Sequence, residues 1–184
     1  SMLEASGVLR TEAGSGTYVV DGAGPKPEIP APVDAAGLAG PYAKLDISRF
    51  RYVIESYCAR MAAMRITDAD IGKIEANLLL FKEQVRTGNF DQSIRTDEAF
   101  HHLIVTLAAV PLFVDLHRSF RPMLLDTIAM PMNLHASRWE PVVEHERILV
   151  ALKRRDPDEA AYYMQSHITR SSERLGYVQA DEVL

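Results

Sequence analysis

The residues of this chain best suited to chemistry are one carboxylate and three imidazoles: Asp97, His101, His145 and His167. Asp97 and His101 are four residues apart, so on a helix their side chains share one face, about one turn from each other. Three imidazoles and a carboxylate suit a divalent transition metal such as zinc, nickel or iron. The hypothesis of a metal site requires that separate helices bring these side chains together.

The hydrophobic pattern places all four residues on the inward faces of three predicted helices. A lone histidine on such a face is more often a hydrogen-bonded core residue than a ligand. An inward aspartate, however, is costly unless it is paired or bound to a metal, so the complete set favours a shared site. The other residues on these three faces are Ile94, Ile104 and Ala108; Ile148, Leu149 and Leu152; and Ala160, Tyr163 and Ser171.

The remaining three histidines are expected to lie outside the metal site. His102 follows His101 directly, so it points about 100° away and is predicted to reach the surface. The position of His117 stays open between exposed and pocket-lining. His135 lies in a loop-like region after Pro131.

Arg51 precedes Glu55 by four residues in the first predicted helix. The spacing alone favours an ion pair on the surface, worth about 0.3–0.5 kcal/mol. The alternative is an anion clamp, because a guanidinium grips a carboxylate with two parallel hydrogen bonds.

Composition limits the class of protein. A net charge of −5 in 184 residues argues against nucleic-acid binding by the bulk of the chain, because phosphate contacts need a basic face. The single cysteine, Cys58, cannot form an intramolecular disulfide and is expected to be buried and inert. With no signal-peptide pattern, this favours a cytoplasmic protein. No apolar run approaches the roughly 20 residues of a membrane span.

The chain is expected to have three parts. Residues 1–20 contain two short strands, 7–11 and 17–20, joined by a glycine-containing connection that is typical of a hairpin. Residues 2–5 resemble the tail of a helix, so the chain is expected to begin inside a domain. Residues 21–44 form a linker rich in proline and glycine.

Residues 45–184 show only helical periodicity, interrupted by stop signals. Six helices with short connections predict an all-α antiparallel bundle. In the first helix the apolar residues at three- and four-residue spacing are Phe50, Val53, Ile54, Tyr57, Cys58 and Met61. The predicted helices cover about residues 47–65, 68–86, 91–108, 111–130, 136–154 and 156–176.

Residues 3–9 (LEASGVL) and 14–19 (GSGTYV) resemble the end of a winged helix-turn-helix domain of the GntR family. In that family a helix ending in Leu-Glu is followed by a wing hairpin with a Gly-x-Gly-Thr-x-Val signature. The resemblance implies that Arg10, Gly14, Ser15 and Gly16 belong to a DNA-contacting wing. The recognition helix is then expected upstream of residue 3, so operator DNA should bind only to the full-length protein.

The rest of the chain resembles the FCD effector domain of the FadR-type subgroup. The matching segments are residues 51–55 (R-x-x-x-E), 97–101 (D-x-x-F-H), 144–152 (EH-x-x-I-x-x-AL) and 160–168 (A-x-x-x-M-x-x-HI). Val110 departs from the pattern, since many relatives carry asparagine there. A Pro-rich linker of this length is a second departure.

The resemblance implies a bacterial transcription regulator that senses a small organic acid beside a metal and acts as a homodimer. It assigns Asp97, His101, His145 and His167 as metal ligands and makes Arg51 an effector-binding residue. Two alternatives stay open. One is a helical metalloenzyme acting on a small carboxylate, which would use an open metal position to activate water. The other is a purely structural metal site.

Overall fold

A computed structural model describes residues 9–19, 44–128 and 138–177 of the chain. The chain divides into an N-terminal unit that contains a hairpin and a C-terminal unit that contains six helices. The predicted fold class, an all-α bundle preceded by a short β-hairpin, is confirmed. The expected helix tail at residues 2–5 and nearly all of the expected linker lie outside the described residues.

The hairpin pairs β1 (Leu9–Glu12) with β2 (Gly16–Val19) in antiparallel orientation. Arg10 lies opposite Tyr18 in this register. Gly14 in the turn has φ +81°, a left-handed conformation that glycine adopts without steric cost. Each strand extends one residue further into the connection than predicted, because the turn needs only three residues.

Four of the five connections between the helices span only two to four residues, as the stop signals predicted. Thr67 caps the second helix and Gly88 ends it with φ 74°, while the Asp156 side chain caps the sixth. The fifth helix begins at Glu140, later than predicted, after a turn at 138–139. The helices are α1 (Lys44–Ala63), α2 (Asp68–Thr87), α3 (Phe90–Leu107), α4 (Pro111–Ile128), α5 (Glu140–Arg154) and α6 (Pro157–Arg174).

The main core lies between α1, α2, α3, α5 and α6 and contains large apolar side chains that are almost fully buried. Phe81, Phe100, Ile104, Ile148 and Met164 are among them. Packing of this kind stabilises a bundle far more than local helix propensity does. Among the described residues, no helix is both long and apolar enough to cross a membrane.

The buried face of α1 differs from the predicted apolar face. Val53 and Tyr57 are 62% and 46% exposed, whereas Arg51 and Glu55 are 3% and 0% exposed. The periodicity misplaced this face because the buried side of α1 carries charged residues that meet partners on other helices. Cys58 is fully buried as expected, and burial raises the pKa of its thiol to about 12.

Candidate metal centre

Three imidazoles from three helices converge inside the bundle. His101 on α3, His145 on α5 and His167 on α6 each offer a ring nitrogen, and these nitrogens lie within 4.8 Å of one another. Asp97, one turn before His101, places Oδ1 3.5 Å from His145 Nε2 and Oδ2 3.8 Å from His101 Nε2. All four side chains are at most 5% exposed. The structure thus brings together every residue of the predicted ligand set.

Two carboxylates behind the cluster, Glu55 and Glu144, determine which ring nitrogen of His101 and of His167 faces inward. Glu144 Oε2 lies 2.8 Å from His167 Nδ1, so that nitrogen carries the proton and donates it. Glu55 Oε2 lies 2.7 Å from His101 Nδ1. This second contact is short but poorly aligned with the N–H bond, since His101 Nδ1 makes no hydrogen bond of good geometry within the described residues. Metal-bound histidines commonly have such a carboxylate behind them.

The inward nitrogens of His101 and His167 face each other at 3.2 Å. Arg51 Nη2 lies 3.3 Å from His101 Nε2, and because a guanidinium can only donate, that nitrogen carries a lone pair. His167 Nε2 carries one too when the ring is neutral and Nδ1 is protonated. When two imidazole nitrogens bind one ion with metal–nitrogen bonds of about 2.1 Å, the nitrogens are about 3.0–3.4 Å apart. This holds for nitrogen–metal–nitrogen angles from about 90° to the tetrahedral value. The pair therefore fits a shared cation.

Contacts with two phenylalanine rings hold the imidazole of His145 in place. It stacks on Phe100 with 4.0 Å between ring centroids and an interplanar angle of 6°, and Phe81 lies 5.3 Å away. Neither ring nitrogen makes a hydrogen bond within the described residues. A buried polar atom without a partner is costly, and a metal bond is one way to satisfy it. The stacking fixes the ring plane so that Nε2 points towards Asp97.

Burial is the largest cause of the shifted pKa values in this cluster. It lowers the pKa of His101, His145 and His167, so these rings are neutral near pH 7 and can act as ligands. Burial also raises the pKa of Asp97 to about 6. Among the described residues, no lysine or arginine forms an ion pair with Asp97, and a bound cation would complete this electrostatic environment.

The two outer carboxylates stay ionised despite burial. Burial alone would raise the pKa of Glu55, but Arg51 and His101 more than compensate and hold it well below its usual value. Hydrogen bonds from His167 and Arg174 similarly lower the pKa of Glu144 to about 2. Arg174 donates to both oxygens of Glu144, at 2.8 and 2.9 Å.

Arg51 lies inside the bundle, so the prediction of a surface ion pair, which its spacing favoured, is wrong. Its Nε donates to Glu55 Oε1 at 2.9 Å, and Glu55 raises the pKa of Arg51 against the lowering effect of burial. The i, i+4 spacing correctly indicated the pair. It could not indicate that the pair faces His101 on another helix.

The sequence interpretation missed two residues in contact with the cluster or its outer carboxylates. Glu55 was treated only as the partner of Arg51, although it also contacts His101. Arg174 was not considered, yet it holds Glu144. Arg174 lies seven residues after His167, a two-turn spacing that puts both on one face of α6 and could have indicated its position.

Of the histidines predicted to lie outside this site, His102 and His117 form a separate group on α3 and α4. His102 is half-buried instead of reaching the surface, and its Nδ1 lies 3.3 Å from Nδ1 of His117. His117 is fully buried. His135 lies outside the described residues.

The hairpin residues form a separate, exposed feature. Arg10 is paired with Glu12 on the same strand, and Ser15 Oγ lies 2.6 Å from the hydroxyl of Tyr18. Gly14 and Gly16 both have positive φ, which shapes the turn. These contacts lie within the hairpin itself.

A cavity of about 540 Å³ opens on the outer side of the centre. Glu144 and Arg174 line it together with two further arginines, Arg147 and Arg170. The cavity therefore reaches the carboxylate that supports His167, and its three arginines are matched by three glutamates, Glu140, Glu144 and Glu173.

Comparison with known proteins agrees with this architecture. Residues 46–170 match the FCD domain. The Uxu operon transcriptional regulator of Escherichia coli (strain K12) is 26% identical over 181 residues, which cover 95% of this chain and 68% of that protein. The HTH-type transcriptional repressor NanR of Edwardsiella tarda is 30% identical over 124 residues, covering 65% of this chain and 46% of that protein.

Two solved structures share the fold. Streptococcus agalactiae GntR has a TM-score of 0.66 at 21% identity, with 95% of this chain and 78% of that chain covered. E. coli McbR/YncC has a TM-score of 0.62 at 16% identity, with 96% and 81% covered. The sequence relatives are transcription regulators and not enzymes, which favours the regulator over the metalloenzyme. The chain belongs to the GntR family of transcription regulators, in the FadR-type subgroup that carries the FCD effector-binding domain.

Proposed function

We propose that this chain senses a small carboxylate that binds beside a divalent metal ion, and that Asp97, His101, His145 and His167 hold the ion. Zinc, nickel and iron all suit these ligands. The bound ion would supply positive charge and open coordination positions. The carboxylate would bind to it and to Arg51.

The observation that carries the metal is the 3.2 Å approach of His101 Nε2 and His167 Nε2. Each Nδ1 faces a carboxylate, Glu55 or Glu144, so the two inward nitrogens both present lone pairs. Lone pairs repel each other unless a cation lies between them. Burial disfavours the alternative, a protonated imidazole, because it lowers the pKa of both rings.

The charge of the site supports an anionic effector. Arg51 is balanced by Glu55, and Arg174 is balanced by Glu144. A divalent ion with the single charge of Asp97 would leave one net positive charge. Since an isolated buried charge is costly, one carboxylate group on the effector would neutralise the site.

Arg51 is the residue best placed to select the effector. Its Nη2 lies 3.3 Å from His101 Nε2, so it stands at the edge of the ligand cluster. Glu55 holds the Nε side of the guanidinium at 2.9 Å. An effector carboxylate bound to the ion could accept a hydrogen bond from Nη2, which joins effector recognition to the metal.

The DNA-contacting function is proposed for the hairpin within the full-length protein. Arg10, Gly14, Ser15 and Gly16 would belong to the wing, and operator DNA and a second copy of the chain would be the macromolecular partners. The membership of the GntR family supports this assignment. An effector-induced change in a paired dimer would then alter DNA binding.

The proposal is tested by metal analysis followed by calorimetric titration with a panel of small carboxylates and hydroxy acids. The metal-loaded protein should bind at least one of them, while the matching amides should not bind. Arg51→Gln should weaken that binding by at least tenfold and retain the metal. Arg49→Gln, an exposed arginine on the same helix, is the matched control.

Two results would contradict the proposal. If the purified protein binds no divalent ion at the four ligands, the metal part is wrong. If a carboxylate is consumed catalytically when it is incubated with the metal-loaded protein, the metalloenzyme is the better interpretation.

A further inference from the structure

A second carboxylate–imidazole pair lies on α3, beside the first. Glu98 and His102 directly follow Asp97 and His101, and they repeat the same four-residue spacing. One residue corresponds to about 100° of rotation on a helix, so this second pair faces a different neighbour. That neighbour is α4, which contributes His117.

Glu98, His102 and His117 lie close enough to share an ion. One potential ligand atom from each residue lies within 4.8 Å of the other two. The Nδ1 atoms of His102 and His117 are 3.3 Å apart, which is within the roughly 3.0–3.4 Å expected for two imidazoles on one ion. Glu98 and His117 are 2% and 0% exposed, while half-buried His102 lies on the accessible side.

The simplest alternative is a hydrogen bond between two neutral imidazoles. It accounts for the 3.3 Å contact but leaves His117 Nε2 unsatisfied, because that buried nitrogen has no hydrogen-bond partner within the described residues. If His117 instead donated from Nδ1, the lone pair on Nε2 would face the carboxylate of Glu55 at 3.8 Å. Neither arrangement satisfies both nitrogens of this buried ring.

An ion bound at both Nδ1 atoms would use the lone pair of each ring and leave His117 Nε2 facing Glu55 at 3.8 Å. His117 would carry its proton on Nε2, directed at Glu55, as metal-bound histidines typically direct theirs towards a carboxylate. Burial lowers the pKa of His117 to about 4, so its ring is neutral and able to bind a metal near pH 7. The structure therefore offers a donor set and an outer carboxylate.

Glu98 can keep its ion pair while it binds a metal. Arg121 Nη2 donates to Glu98 Oε2 at 2.9 Å, and the carboxylate has a second oxygen. Arg121 is about half exposed, so it can also turn away. The arginine would orient the carboxylate in the way that outer hydrogen bonds orient other carboxylate ligands.

We propose that Glu98, His102 and His117 form a second divalent-metal site, distinct from the centre at Asp97, His101, His145 and His167. Two imidazoles and one carboxylate are the three-ligand set of many zinc sites, with a fourth position left for water. Glu55 contacts a histidine of each site, so it links the two. The proposal does not depend on the proposed effector.

The test is the zinc stoichiometry of the 184-residue chain. Protein stripped with a chelator is titrated with Zn²⁺ alone, and bound zinc is counted by mass spectrometry after gel filtration. The wild type should hold two zinc ions per chain, and His102→Gln should hold one. Glu98→Gln should also lose the second ion, while Asp115→Asn, which removes one exposed carboxylate from α4, should keep both.

The His145→Gln variant separates this proposal from the first metal centre, since it should retain one ion that is lost when His102→Gln is added. If the wild type holds one ion and His102→Gln holds none, only the second site binds zinc, and the proposed function fails while this inference stands. If His102→Gln and Glu98→Gln, folded as judged by circular dichroism, bind as much zinc as the wild type, the second site is overturned.

Discussion

Glu144 Oε2 lies 2.8 Å from Nδ1 of His167, and Arg174 donates to both oxygens of the same carboxylate. Glu144 is thus held from outside by an arginine and in turn holds an inward-facing imidazole. The arrangement fixes the ring orientation of His167 before any ion binds. Because Glu144 and Arg174 both line the outer cavity, these hydrogen bonds also connect that cavity to the His167 ring.

Replacing this outer carboxylate should weaken metal binding without removing a ligand. In Glu144→Gln the hydrogen bond that fixes the His167 ring is weakened, so we expect the zinc affinity to fall about 10–100-fold. Competition with a chromophoric chelator at pH 7 measures this. The control is Glu140→Gln, because Glu140 also contacts Arg174 at 3.1 Å but is exposed. Equal losses in both variants would contradict the role given to Glu144.

Removal of the metal should destabilise the folded chain. An ion that binds only the folded state stabilises it by about 2.7 kcal/mol when free metal is at 100 times its Kd. For a domain of this size that corresponds to about 5–10 °C in Tm. Differential scanning calorimetry with and without chelator checks this value. His145→Ala should lose the part of the response that comes from this centre, and an undiminished response in that variant would argue against the centre.

The isolated chain should bind DNA weakly and without sequence preference. Arg10 is the only basic residue of the described hairpin and it is paired with Glu12, whereas tight binding needs several phosphate contacts. The net charge of −5 adds repulsion. Fluorescence anisotropy with the upstream region of the parent gene measures binding, with the full-length protein as the positive control. Tight, sequence-dependent binding by the chain alone would refute the wing assignment.

The start of α2 should depend on a capping box. Thr67 Oγ1 accepts from the Asp70 N–H at 3.2 Å, and Asp70 Oδ2 accepts from the Thr67 N–H at 3.3 Å. Thr67→Ala should therefore reduce the free energy of unfolding by about 1 kcal/mol. Urea denaturation at pH 7 tests this, with Thr106→Ala, an exposed change on α3, as the control. A loss no larger than that of the control would contradict it.

The capping box also predicts a pH dependence. Hydrogen bonds from Lys73 and then Thr67 lower the pKa of Asp70 from 3.8 to about 2. Because the folded pKa is the lower one, the stabilisation is fully present above about pH 4 and is lost as the pH falls towards 2. The stability difference between wild type and Asp70→Asn should shrink over that interval. A difference that stays constant would show that the carboxylate charge is not involved.

Cys58 should resist thiol reagents while the chain is folded. It is fully buried, and burial raises the pKa of its thiol to about 12, so almost no thiolate exists at pH 8. A chromogenic disulfide reagent should react with less than about a tenth of the protein before unfolding and with all of it in denaturant. Rapid reaction in the native state would mean that α1 opens locally.

The helices and the inward positions of the four candidate ligands were predictable from the sequence because both depend on spacing along one chain. Apolar residues at three- and four-residue intervals define the inward faces of α3, α5 and α6. Asp97, His101, His145 and His167 lie on those faces. The ends of the helices were also predictable from local capping residues, such as Thr67 at the start and Gly88 at the end of α2.

Contacts between helices were decided only by the tertiary structure. Arg51 and Glu55 have the spacing of a surface pair, and only the packing of α1 against α3 buries them beside His101. His102 was predicted to reach the surface because rotation about α3 turns it away from His101, but α4 covers that side with His117. Periodicity fixes the angle at which a side chain leaves its helix. Which helix lies opposite depends on how the whole bundle packs.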